Sequence, residues 1–92
     1  MVERVERITR MEERMDIALS LLQDARQTGV LSPALAEAVA VLDGYYASPL
    51  WMEDYQADEK GLLPAGLKRG VLSQDGLWNL LSDYSELIRK TE

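Results

Sequence analysis

The first 28 residues contain neither proline nor glycine, and this stretch limits the possible folds more than any other feature of the chain. Ile8, Met11, Met15, Ala18, Leu22 and Ala25 recur at alternating steps of three and four. That spacing lines them along one face of a helix, in a heptad-like stripe. Val5, Leu19 and Leu21 widen or flank the stripe, and Gly29 supplies a stop signal. Glu3 and Arg7, and Glu6 and Arg10, sit four apart on the expected outer surface and support the helix weakly; Arg10 and Arg14 oppose it slightly. A helix of about 26 residues is about 39 Å long. A compact chain of this size has a radius of gyration of about 12 Å, hence a diameter of roughly 30 Å. The helix is therefore expected to overhang its own body, leaving part of the stripe to be covered. Ile8, Met11, Met15 and Leu22 are candidate contacts with a second copy, in a homodimer, or with another protein.

The remaining elements also read as helices. Ser32-Pro33 and Ser48-Pro49 are start signals, a hydroxyl cap followed by proline in the first turn. They open a central helix over 33–47, rich in alanine and apolar around most of its surface, and a short acidic helix over 49–60. Three glycines, Pro64 and the aliphatics Leu62, Leu63, Leu67, Val71 and Leu72 make 61–73 a loop packed onto the body. Ser73 then caps a last helix over 74–90, whose inner face is Leu77, Leu80, Leu81, Tyr84, Leu87 and Ile88, bordered by Trp78. The fold class is all-α: one small helical bundle with a long N-terminal helix and no strand.

Composition narrows function by exclusion. The 92 residues include no His and no Cys. Disulfides, thiolate metal sites, cysteine nucleophiles and imidazole acid–base chemistry are therefore absent. A charged N-terminus gives no sign of a signal peptide, and the longest apolar run, Ala38 to Leu42, is far too short to span a membrane. The net charge is −6, and from Gln27 to Glu59 there are six acids and no base. Such a surface repels phosphate backbones, so nucleic acid is a poor partner. The expectation is a cytoplasmic protein with no catalytic residues, cofactor or metal.

Two clusters are candidate sites. Asp54 and Asp58 lie four apart on one helical face, with Glu59 beside them, and could share a hard cation. The competing reading makes these acids surface charges or partners of Lys68 and Arg69. That basic pair precedes a helix N-terminus and could instead meet an anion, but it lacks the order of a nucleotide-binding loop. Trp51, Tyr55, Tyr45, Tyr46, Trp78 and Tyr84 could line a ligand wall, although aromatics at helical spacing usually fill cores.

The stretch from Tyr45-Tyr46 through Ser48, Trp51, Asp54-Tyr55, Asp58-Glu59 and Gly61 to Leu63-Pro64, Leu67-Lys68-Arg69-Gly70-Val71-Leu72-Ser73 and Asp75 is distinctive. It resembles the core of a family of small bacterial proteins, the domain-of-unknown-function family 4298, with Gly76 and Trp78 standing where alanine and tyrosine are expected. The resemblance implies a small stand-alone helical protein and brings no activity, cofactor or catalytic residue with it. The leading expectation is a non-enzymatic interaction module that self-associates through its first helix. The alternative is a ligand- or metal-ion-responsive regulator using Asp54, Tyr55, Asp58 and Glu59 with the Lys68-Arg69 loop.

Overall fold

The computed structural model describes residues 2–91, without the side chains at 74 and 91. Met1 and Glu92, the ends of the expected single domain, lie outside the described residues. Four helices follow in order: α1 (Val2–Thr28), α2 (Pro33–Ala47), α3 (Pro49–Glu59) and α4 (Gln74–Thr91), with a 3₁₀ turn at Gly70–Leu72 before the last. Among the described residues there is no strand. The fold is all-α.

α1 and α2 form an antiparallel pair. Gly29 takes a left-handed φ of 73°, and its N–H donates to the Ala25 carbonyl at 2.8 Å, closing α1. Ser32 then accepts from the Leu35 N–H at 3.2 Å, and Pro33 opens α2. The antiparallel run places Arg14 near Glu37, with 3.8 Å between the charged groups. α4 runs the other way relative to α2, parallel to α1. Its first turn brings Gly76 beside Met15, and further along Asp83 pairs with Arg26 at 3.0 Å. α3 crosses the end of the bundle nearest the α1 N-terminus, and the 3₁₀ turn packs against α1, α3 and α4.

The apolar stripe of α1 is the spine of this core. Ile8, Met15, Ala18, Leu22 and Ala25 are buried together with Leu35, Ala38, Val39 and Leu42 of α2 and Leu77 and Leu80 of α4. Alanines at the crossing let α1 and α2 approach closely, and their contact is the most extensive in the molecule.

This arrangement corrects the expected overhang. The molecule measures 42 × 19 × 17 Å, and its radius of gyration is 13.9 Å. A 27-residue helix, about 40 Å long, spans the long axis of that body instead of projecting from it. The body is elongated and not spherical: α2 and α4 lie side by side along α1, with α3 and the 3₁₀ turn towards its N-terminal end. Ile8, Met15 and Leu22 are thus core residues of their own chain, and Met11 is partly buried against the same core. They are not left over for a second chain.

Candidate functional site

Asp54 lies in the middle of α3 and is 0% exposed. Its Oδ1 accepts from Arg7 Nη2 at 2.5 Å and from Arg4 Nε at 3.2 Å. Its Oδ2 accepts from Arg7 Nε at 2.9 Å and from the Tyr45 hydroxyl at 2.5 Å. Arg4 and Arg7 come from the first turns of α1 and Tyr45 from the end of α2, so one carboxylate ties three helices together. The two-pronged guanidinium grip is the strongest geometry available to such a pair. Burial, followed by the hydrogen bond to Asp54, holds the Tyr45 hydroxyl far above its usual pKa. The hydrogen bond to Asp54 likewise raises Arg7, with burial opposing it. The Tyr45 hydroxyl and the Arg7 guanidinium therefore keep their protons, and both carboxylate oxygens are occupied. The arrangement fastens the N-terminal turns of α1 and the end of α2 to α3.

The other acids of α3 are engaged separately. Asp58 Oδ1 meets Arg69 Nη1 at 3.3 Å, and Arg69 Nη2 also donates to the Pro64 carbonyl at 2.9 Å. The pairing of the acidic helix with the basic loop holds for Asp58 and Arg69. Asp54 turns to α1 instead, so Asp54 and Asp58 do not converge on a shared cation. The Glu59 carboxylate, near the Tyr55 hydroxyl, raises the Tyr55 pKa. Lys68 stays exposed beside Glu12, Glu13 and Asp16 in a half-open cleft of about 320 Å³. Among the described residues no group of three acids could hold a metal ion.

A second buried carboxylate holds the loop. Glu12, 8% exposed, accepts from the Val71 N–H at 2.5 Å. Val71 is itself fully buried, and its carbonyl accepts from Trp51 Nε1 at 3.0 Å. Both polar backbone groups of this residue are thus satisfied by side chains from α1 and α3. Gly70 makes room for the arrangement, since a Cβ there would stand 3.1 Å from Glu12 Oε1. Trp51, 3% exposed, packs edge-on to Tyr46 (centroids 4.8 Å) and stacks on Tyr55 (5.2 Å). Of the aromatic wall, Tyr45 and Trp51 are core, Tyr46, Tyr55 and Tyr84 are half-buried against it, and Trp78 is 59% exposed. It lies in an open groove of about 350 Å³ between α2 and α4, beside Tyr46 and Leu81, with Asp43 and Arg89 also on its walls.

Sequence reasoning singles out Trp51, Asp54, Tyr55, Asp58, Glu59, Lys68 and Arg69. The structure brings all but Lys68 into direct side-chain contacts at the end of the bundle. Sequence reasoning misses Arg4, Arg7 and Glu12. Local spacing pairs Arg7 outward with Glu3, whereas its guanidinium turns inward to Asp54. A signal was present for Glu12: it stands four residues after Ile8 and three before Met15, on the apolar stripe itself.

The architecture defines the chain as a small all-α protein built on one long helix and cross-tied by buried carboxylates. A family model, domain of unknown function DUF4298, matches residues 8–91, and the chain belongs to that family. No curated protein and no solved structure matches it.

Proposed function

We propose that this protein is a non-catalytic interaction module whose contact surface is the groove between α2 and α4. The exposure of Trp78 beside Tyr46 and Leu81 carries the reading. Tryptophan is the side chain most enriched at binding hot spots, and here it lies at an open groove of a domain whose other tryptophan is core. The polar groups that first suggested chemistry have structural work instead: Asp54 fastens three helices and Asp58 fastens the loop. This reading keeps the interaction role and moves it off the α1 stripe, which the chain uses itself. The test is a photo-crosslinking residue placed at position 78 in the living cell, with the exposed Gln23 of α1 as the control position. The reading predicts a discrete adduct from position 78 alone. No adduct, or equal adducts from both positions, would overturn it.

A further inference from the structure

The outward stripe of α4 is self-complementary. Trp78, Ser82, Ser85 and Arg89 recur at steps of four, three and four, so they share one face of the helix. Trp78 stands near one end of the stripe and Arg89 at the other, and both are exposed. Arg89 makes no ion pair among the described residues, and neither does Asp43 across the groove. Because α2 runs antiparallel to α4, Asp43 and Tyr46, near the end of α2, flank the half of the groove that holds Trp78.

We propose that a second copy of this chain occupies the groove, its α4 lying antiparallel across the first. The two-fold axis passes between Asp83 and Tyr84. Trp78 of each copy then faces Arg89 of the other, and Ser82 faces Ser85. A guanidinium over an indole face is a favourable cation–π contact, and an isologous interface makes it twice. Asp43, beside Trp78, supplies a carboxylate to the same incoming guanidinium. One acid and one base on the walls make the groove locally neutral in a chain of net charge −6, so two copies meet here without opposing acidic surfaces. This inference rests on the groove being the contact surface and adds the identity of the occupant.

Sedimentation equilibrium of the purified full chain, over about 10–500 µM, tests it in the range where small interfaces associate. The expected result is a mass rising from 10.4 kDa towards twice that value. Trp78→Ala and Arg89→Glu should each weaken association at least about tenfold, with melting temperatures unchanged at low concentration, where the chain is monomeric, because both side chains are exposed. The register has its own check, because the chain has no native cysteine. A short thiol cross-linker should join copies carrying Ser82→Cys, near the axis, and fail with Asp75→Cys, far from it. A monomer throughout, or a dimer indifferent to both substitutions, would overturn self-pairing. A monomer that still gives an adduct to another protein from position 78 would overturn self-pairing alone; loss of that adduct as well would overturn the groove.

Discussion

Asp54 shows what a buried charge can do when every lone pair is matched. Four donors from Arg4, Arg7 and Tyr45 surround its two oxygens, and none of the charge is left uncompensated. Removing the carboxylate strands two guanidinium groups, one of them clamped by both prongs. Asp54→Ala should cost about 3–5 kcal/mol, read from urea unfolding. A loss within about 0.5 kcal/mol, the range of surface substitutions, would contradict the fastening role. Tyr45 adds a pH signature. Its folded pKa lies above the unfolded value of about 10, so its contribution is complete below that pH and is lost as pH rises through the folded pKa. Stability should therefore fall above about pH 10, and Tyr45→Phe should make that alkaline fall shallower. The same variant should lose about 1.5–3 kcal/mol at neutral pH, the worth of a hydrogen bond to a charged group. Unfolding curves at neutral and alkaline pH check both. Trp51→Ala, which opens a cavity and strips the Val71 carbonyl of its donor, should cost about 3–5 kcal/mol. A loss under about 1 kcal/mol would place the ring outside the core.

At the scale of elements, helix positions were legible because their signals are local. The stripe of α1, the Pro33 and Pro49 starts and the leucine face of α4 need only neighbours within a few turns. The Ser48 start is legible in place but not in mechanism. Its hydroxyl donates back to the Tyr45 carbonyl at 2.6 Å and makes no cap bond to α3, so it ends α2 while Pro49 begins the next helix. Gly61 closes α3 with a φ of 70°; its N–H reaches the Asp58 carbonyl and the Leu62 N–H the Ala57 carbonyl, both at 3.0 Å. That paired pattern needs the left-handed residue, so Gly61→Ala should destabilise by about 1 kcal/mol in thermal or urea unfolding. What sequence could not show was the partner of each buried charge. Arg7 sits four after Glu3, a local pairing that looks sufficient, yet its real partner is 47 positions away. Pairings across that distance follow from how the helices are laid together, and the pattern within one helix does not contain that information.

For the whole molecule, shape decided where an interface can lie. A chain of this length arranged as a sphere would leave α1 overhanging; an elongated bundle covers it. The long helix therefore measures the body and does not advertise a partner. Of the exposed large apolar side chains, Trp78 on α4 is the one aromatic among the described residues, and it borders a groove instead of entering the core. Helical periodicity puts Trp78 at the border of the inner face of α4, but only the packing of α2 against α4 shows which side of that border meets solvent. Hydrogen exchange followed by mass spectrometry, at about 1 µM and about 300 µM chain, tests the placement of the interface most directly. Exchange along Ile8–Ala25 should be slow and unchanged between the two concentrations, while residues 78–89 exchange more slowly at the higher one. Exchange along α1 that slows with concentration, with α4 unchanged, would return the interface to the first helix and contradict this placement.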